Sequence, residues 1–207
     1  MSTLTTPVPA PSPAPVPGPA PTPTPAGMKA VLAGFCTGVA VITACGDDGR
    51  PAGMAVQSFS SVSLDPPLVC FCPARTSTTW PLIRAAGAFA VNVLAADQEE
   101  LCRRFAVTGG DRFAGVAWRP GAGGAPLLDG ALATVECVLE DVLDGGDHAI
   151  ALGRVTVLAA HREGAPLLYF RRSYGRLAPV EPSTAARAAS SASMSSSMAA
   201  ARSRSEV

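Results

Sequence analysis

The sequence predicts a mainly β domain, an antiparallel barrel that carries a few short helices. Several short runs of β-branched, aromatic and alanine residues are bounded by clusters of glycine, proline and aspartate, a pattern typical of strands joined by turns. Only two short segments read as helices, so the chain lacks the regular helical crossovers that join the strands of a parallel sheet. Hairpin-connected strands of this kind favour a closed or nearly closed antiparallel sheet.

One compact domain is expected over residues 28–179 of the 207-residue chain, between two tails. Residues 1–27 consist mainly of proline, alanine and threonine without a charged group, and residues 180–207 are rich in serine and alanine. Neither composition buries enough surface to offset the entropy of ordering, so both tails are predicted to be disordered. The first tail also lacks the basic and apolar regions of a signal peptide, which favours a cytoplasmic protein.

Charge and cysteine content argue against several classes of function. The formal net charge is zero and no apolar run approaches the roughly 18 residues of a membrane span, so neither nucleic acid nor membrane is an expected partner. The six cysteines include no C-x-x-C pair, and only two histidines accompany them. We therefore expect no metal site, and interpret the cysteines as small apolar side chains in a reducing cytoplasm.

The first strands are predicted on either side of a turn cluster. Residues 38–45 are β-branched and apolar, the turn cluster covers 46–51, and residues 52–59 return as the second strand of a hairpin. A third strand is expected over 68–72. Between these strands, residues 58–63 carry four serines in six positions, an unusual composition for the exit of a buried strand.

Two helices and one strand follow. Residues 80–86 are predicted to form a short helix that Gly87 ends, and residues 89–94 form the next strand. Residues 97–105 are predicted as a second helix with Asp97 as its N-cap. Glutamates in its first turn and arginines in its last suit the helix dipole.

The last third of the chain is predicted to contain three more strands. Residues 125–130 are interpreted as a turn. Two long alternating strands cover 131–142 and 150–159, with a connection at 143–148, and 167–170 is the last predicted strand.

Two clusters of hydroxyl side chains are candidates for a binding site. Small hydroxyls and backbone N–H groups over 58–63 suit the polar edge of a planar ring or a phosphate. The second cluster, 75–79, places Arg75 and four hydroxyls where a helix begins, which suits a phosphate. Taken separately, each cluster is better explained as a polar turn or a helix cap, and only their combination with the segments below favours a binding site.

Taken together, these segments resemble the short-chain flavin reductase family, the reductase components of two-component flavin-dependent monooxygenases. The most specific matches are residues 53–68 (GMAVQSFSSVSLDPPL) and 146–148 (GDH). Weaker matches follow in the expected order at 35–43, 89–94, 111–113, 124–126 and 166–170. The resemblance implies an FMN-binding split β-barrel, antiparallel and Greek-key-like.

The resemblance also implies positions that contact the flavin. The pyrimidine edge and ribityl chain would meet Gln57, Ser58, Ser60 and Ser61. The ring would lie along Cys72, Pro73 and Ala74, and the phosphate would bind Ser77 and Thr78. Phe105 would pack near the flavin.

The implied activity is hydride transfer from NADH or NADPH to FMN, with FAD as a possible flavin. His148, which follows Gly146 and Asp147, would lie by the nicotinamide, and Arg171 and Tyr174 are further candidates for nicotinamide contacts. Members of the family are homodimers that pass reduced flavin to a separate monooxygenase. Imidazole suits a carboxamide or a developing flavin anion, although a histidine here is also compatible with a simple hairpin cap.

Two other functions are compatible with the same residues. One is a non-catalytic flavin- or haem-binding split-barrel module that acts as a sensor or store. The other is an oxidase that keeps its flavin bound. Turnover of NAD(P)H that accelerates with added free flavin distinguishes a reductase from a storage module.

Overall fold

The computed structural model describes residues 22–178, so the predicted tails lie outside the described residues except for 22–27. This part of the chain contains three helices, α1 (Pro25–Leu32), α2 (Trp80–Ala86) and α3 (Glu99–Ala106). The first six strands are β1 (Thr37–Gly38), β2 (Ala40–Cys45), β3 (Pro51–Val56), β4 (Ser60–Leu64), β5 (Pro67–Phe71) and β6 (Ala88–Val93). The remaining six are β7 (Trp118–Pro120), β8 (Pro126–Leu128), β9 (Ala133–Gly145), β10 (His148–Ala160), β11 (Leu167–Phe170) and β12 (Ser173–Arg176).

Seven strands form one antiparallel sheet in the order β3-β2-β6-β9-β10-β5-β4. Strands from both ends of this order contribute to a single apolar core, which contains Val56 of β3 and Phe71 of β5. Phe71 meets Phe89 of β6 edge-on, with ring centroids 5.3 Å apart. The sheet therefore curls around its core. Its two edge strands are β3 and β4, which follow each other in the chain through residues 57–59 but do not pair.

A second apolar cluster lies between the sheet and the elements outside it. Leu94 and Val41 from the sheet region pack there with Cys102 and Phe105 of α3 and Leu167 of β11. Strands β1, β11 and β12 form a separate three-stranded antiparallel sheet, and β7 pairs with β8. Within residues 22–178, no helix is both long and apolar enough to span a membrane.

Three local predictions are wrong. Residues 125–130, predicted as a turn, contain the buried strand β8, and β12 follows the strand that was expected to be the last. Asp97 does not cap α3, whose N-cap residue is Gln98. The carboxylate of Asp97 instead forms an ion pair with Arg162, 2.6 Å away, and this interaction lowers the pKa of Asp97. For β8 and for Asp97 a contact distant in sequence outweighs the local pattern, whereas β12 forms a hairpin with the neighbouring β11.

A buried polar network attaches β8 to the main sheet. Asn92 of β6 is fully buried; its Oδ1 accepts a bond of 2.7 Å from the Leu128 N–H, and its Nδ2 donates to Thr43 Oγ1 at 3.1 Å. Thr43 Oγ1 donates to the Pro126 carbonyl at 2.5 Å. Because a buried polar group is costly when unpaired, this network favours one position for β8.

We expect Asn92→Ala to lower the free energy of unfolding by about 2–4 kcal/mol, because the Leu128 N–H and the Thr43 hydroxyl lose a buried partner. Urea denaturation followed by circular dichroism measures the change. The exposed Ser173→Ala change should alter stability by less than about 0.5 kcal/mol. Equal stability of the wild-type and Asn92→Ala proteins would show that β8 is held by apolar packing alone.

Candidate functional site

A cleft of about 230 Å³ lies between β3, the segment before α2 and the end of α3. We call it the inner cleft. Its lining combines apolar side chains with hydroxyls and one cation: Met54, Ala55, Ala74, Thr76, Ser77, Thr78, Thr79, Phe105, Ala106, Val107, Thr108 and Arg112. Four of the residues predicted to contact flavin, Ala74, Ser77, Thr78 and Phe105, therefore share one cavity.

The start of β10 is fastened to the segment that follows β5. The Ala149 N–H donates to the Pro73 carbonyl at 3.0 Å, and Ala74 and His148 are bridge partners. The Arg75 N–H then donates to the Asp147 carbonyl at 2.9 Å. Antiparallel pairing between the two segments thus continues beyond β5 and brings His148 beside Ala74, which lines the inner cleft.

Arg75, for which the sequence suggested a phosphate contact, is paired with a carboxylate and a carbonyl in this structure. Its Nη2 lies 2.6 Å from Asp144 Oδ1, and its Nε donates to the Gly146 carbonyl at 2.8 Å. This pairing, together with the Gly146 N–H, lowers the pKa of Asp144. Arg75 therefore stabilises the β9–β10 turn that carries His148, and its guanidinium is already engaged.

His148 lies at the first position of β10, after the two-residue turn of Gly146 and Asp147. Gly146 has φ = 77°, a left-handed conformation that glycine adopts without steric cost. The His148 side chain is 44% exposed, and its Nδ1 lies 2.7 Å from Asp147 Oδ1. The hydrogen bond from His148 lowers the pKa of Asp147. Asp147 thus orients the imidazole ring and leaves the opposite nitrogen, Nε2, for another partner.

Ser58 and Ser77 have structural partners within the site. Ser58 Oγ accepts a bond of 2.8 Å from the Cys72 N–H, which ties the segment after β3 to the segment after β5. Ser77 Oγ accepts from the N–H groups of Thr79 and Trp80, at 3.3 and 3.2 Å, at the start of α2. Thr78 is exposed and faces the inner cleft, so its hydroxyl is the more available of the two predicted phosphate ligands.

The remaining serines and Gln57 lie outside the lining of the inner cleft. Gln57 is exposed and its Oε1 accepts a bond of 3.3 Å from Thr37 Oγ1. Ser60 and Ser61 belong to the edge strand β4, where they pair with Cys70 and Val69 of β5. The serine-rich segment is therefore largely a strand, and its hydroxyls make the exposed edge of the sheet polar.

Phe105 lines the inner cleft from the side of α3. It is 1% exposed and contacts Phe113 edge-on, with ring centroids 5.0 Å apart. Its ring approaches Gly53 of β3 so closely that a Cβ atom there would lie 2.7 Å from Phe105 Cε1. The glycine thus lets α3 pack directly against the backbone of β3.

Arg171 and Tyr174 belong to the three-stranded sheet of β1, β11 and β12, and neither residue lines the inner cleft. Arg171 is in the turn between β11 and β12, and its N–H donates to the Ala33 carbonyl at 3.0 Å. The Tyr174 hydroxyl lies 3.4 Å from Cys102 Sγ, and burial raises its pKa to about 12.

Arg112 is a site residue that the sequence analysis did not assign. Its Nη1 donates to the Gly53 carbonyl at 2.6 Å and to Thr79 Oγ1 at 2.7 Å. Among residues 22–178, no carboxylate lies within ion-pair distance of its guanidinium. The two consecutive glycines before Asp111 and Arg112 were the available signal, since such loops let ligands approach the backbone.

These features fit a ligand that carries both a planar apolar part and a phosphate. Hydroxyl donors and an uncompensated arginine suit the phosphate, while Met54 and Phe105 provide apolar surface. In the described part of the chain, no group of three histidine, cysteine or acidic side chains is close enough to hold a metal ion. All six cysteines are free; Cys102 and Cys137 are buried, and Cys36 is exposed.

Comparison with known proteins assigns almost all of the described domain to one family. The flavin reductase like domain family matches residues 32–178. The reductase subunit HsaB of a flavin-dependent monooxygenase from Rhodococcus jostii is 50% identical over 151 residues, which cover 73% of this chain and 77% of that protein.

Solved structures agree with the sequence matches. Component B of nitrilotriacetate monooxygenase from Mycobacterium thermoresistibile has a TM-score of 0.69 and 43% identity, covering 74% of this chain and 89% of that one. The NADH:FAD oxidoreductase SgcE6 of Streptomyces globisporus, in complex with NAD and FAD fragments, has a TM-score of 0.71 and 39% identity, covering 74% and 93%. The predicted family and the split-barrel fold are confirmed: this chain belongs to the flavin reductase like domain family.

Proposed function

We propose that the inner cleft binds a flavin, which this chain reduces with hydride from NADH or NADPH and then releases to a separate monooxygenase. The predicted activity, NAD(P)H-dependent flavin reduction, agrees with the family and with relatives described as a monooxygenase reductase subunit and an NADH:FAD oxidoreductase. The observation that supports the site assignment is the pairing of His148 with Ala74, one of the residues that line the inner cleft.

The proposed orientation of the flavin follows from the lining. Its phosphate lies at Thr78 and Arg112, where an exposed hydroxyl adjoins an uncompensated guanidinium. Its ring runs back along Ala74, Pro73 and Cys72 toward His148. This places the imidazole beside the nicotinamide, as the resemblance implies.

The chain's own contribution is alignment rather than acid–base chemistry. A reduced nicotinamide donates a hydride that a flavin accepts, so the two bound molecules supply the reacting bonds. His148, oriented by Asp147, holds the carboxamide or stabilises the charge that develops, and the β9–β10 turn fixes its position. The open, hydroxyl-lined inner cleft allows the product to leave.

Release of the flavin distinguishes this proposal from a storage module or a flavin-retaining oxidase. The reductase function is supported by the relatives that act as subunits of two-component monooxygenases. We also propose that this chain acts in the cytoplasm, together with a separate monooxygenase.

A homodimer is the proposed assembly, supported by exposed apolar surface. Helix α1 buries none of its residues, and its apolar side chains Val31 and Leu32 are 77% and 59% exposed. Short helices depend on packing for stability, so α1 requires a partner surface. Strand β10 likewise exposes Leu158, which is 72% accessible, beside the exposed Val157. A second copy of the chain covering both would bury this apolar surface.

We expect the wild-type protein to sediment as a dimer, and Leu158→Glu to weaken dimerisation at least tenfold, because a carboxylate would be buried at the interface. Analytical ultracentrifugation at several concentrations measures the equilibrium. Ala114→Glu, an apolar-to-acidic change at another exposed residue, in the loop after α3, serves as the control. A wild-type protein that stays monomeric at all concentrations would contradict the proposed assembly.

The phosphate contact is tested by removing the two hydroxyls. Ser77→Ala with Thr78→Ala should weaken FMN binding by about 1–3 kcal/mol and leave riboflavin, which has no phosphate, almost unchanged. Fluorescence titration measures both affinities. Thr78→Ala alone should cause most of the loss of FMN affinity. Ser77→Ala should mainly lower the free energy of unfolding, by about 0.5–2 kcal/mol, because Ser77 Oγ accepts the N–H groups of Thr79 and Trp80 at the start of α2. Equal losses for FMN and riboflavin would exclude phosphate binding by these hydroxyls.

The role of His148 is tested by stopped-flow reduction of bound flavin. NADH or NADPH should reduce it rapidly in the wild-type protein, and added free flavin should accelerate steady-state turnover. His148→Ala should slow reduction about ten- to hundredfold, equivalent to about 1–3 kcal/mol, while flavin binding is preserved. Asp147→Asn should cost less, because Asp147 acts by orienting the imidazole. An unchanged reduction rate in folded His148→Ala would make this histidine a purely structural residue.

A further inference from the structure

Among the described residues that line the inner cleft, Met54 alone has a side chain that peroxides readily oxidise. It lies on β3, is partly buried, and packs against the apolar core of the main sheet. Oxidation of a thioether to a sulfoxide changes a flexible apolar side chain into a polar one. At this position the change affects the wall of the cleft itself.

The sulfur of Met54 faces the segment that leads into α2. The Ser77 hydroxyl donates toward Met54 Sδ, with Oγ and Sδ 4.0 Å apart. The same Oγ accepts the N–H groups of Thr79 and Trp80, so one hydroxyl connects Met54 to the start of α2. A thioether sulfur is only a weak acceptor, and a sulfoxide adds a strongly polar oxygen at this contact.

We propose that Met54 is an oxidation site through which hydrogen peroxide lowers the affinity of this chain for flavin. The inference rests on the proposed function, because that function places the flavin in the inner cleft beside Met54. In the reaction the O–O bond of the peroxide breaks. One oxygen atom is bonded to sulfur, which loses two electrons, and the other leaves as water.

The activity itself supplies the peroxide when no monooxygenase takes up the product. Free reduced flavin then transfers two electrons and two protons to dioxygen, which yields oxidised flavin and one hydrogen peroxide. Turnover without an acceptor thus produces the oxidant, and a lower affinity for flavin slows further reduction. A bound flavin covers Met54, so the empty inner cleft is the sensitive state.

The position of Met54 explains why its sulfoxide weakens flavin binding. A polar S–O group is unfavourable against the apolar core unless its oxygen is hydrogen-bonded. The oxygen therefore turns toward Ser77 and the inner cleft, where it takes space from a cavity of about 230 Å³.

The test treats the full-length protein with hydrogen peroxide, with and without saturating FMN, and then with dithiothreitol, which reverses the first oxidation products of cysteine. Peptide mass spectrometry measures the sulfoxide at each methionine. We expect FMN to slow oxidation of Met54 several-fold and to leave oxidation of Met28, which is 55% exposed on α1, unchanged. Prolonged aerobic turnover of NADH with limiting FMN should give the same Met54 sulfoxide, and catalase should prevent it.

Fluorescence titration before and after oxidation measures the effect on binding. The oxidised wild-type protein should bind FMN about tenfold more weakly, because a polar group is added to an apolar wall, and methionine sulfoxide reductases should restore the affinity. Met54→Leu, a change that nearly preserves side-chain volume, should keep after oxidation whatever FMN affinity it has before. Met28→Leu, the matched control, should lose affinity as the wild-type protein does.

The outcomes separate this inference from the function on which it rests. Formation of the Met54 sulfoxide without a change in FMN affinity would overturn the inference, as would an affinity loss that persists in Met54→Leu. Oxidation of Met54 at the same rate with and without bound FMN would overturn it too. In all three cases binding and reduction of FMN by the unoxidised protein would keep the proposed function, whereas their absence would overturn both.

Discussion

The pairing between the start of β10 and the segment after β5 is the constraint on which the candidate site depends. Two backbone hydrogen bonds, at Pro73 and Arg75, continue the sheet after β5 has ended as a regular strand. Because side chains alternate between the faces of a strand, a shift of one residue in this register would turn His148 away from Ala74. The Arg75 side chain reinforces the register by binding the turn itself. A main-chain interaction thus sets the position of the imidazole.

Much of the fold was predictable because local signals and tertiary packing agree there. The bounds of α2 match the prediction, since Gly87 ends the helix with φ = 66°, a conformation that favours glycine. The paired strands β9 and β10 also follow from their alternating pattern. Strand β8 was missed because its sequence resembles a turn, and it is held in place by Asn92, 36 residues away from Leu128. Such long-range polar contacts leave no local periodicity to detect.

The sequence indicated which segments to consider for the candidate site, but it did not indicate which ion pairs form there. The segment between β5 and α2 pairs with the start of β10, so Ala74 and His148 are neighbours in the structure. Which arginine stays available for a ligand depends on which carboxylates fold against it. Arg75 is engaged by Asp144, whereas Arg112, 37 positions further along the chain, lies without a carboxylate partner in the described residues. Sequence spacing alone does not distinguish these two cases.

The bonds of Arg112 have a consequence for how long a ligand stays. They fix one rim of the inner cleft before any ligand arrives, so little ordering is needed on capture. A protein that hands its product onward needs dissociation as much as affinity. With association at about 10⁶ M⁻¹s⁻¹, a micromolar complex dissociates about once per second, and each tenfold gain in affinity lengthens the residence tenfold. A rim that is ordered before the ligand arrives favours fast capture, and a modest affinity then keeps the residence short.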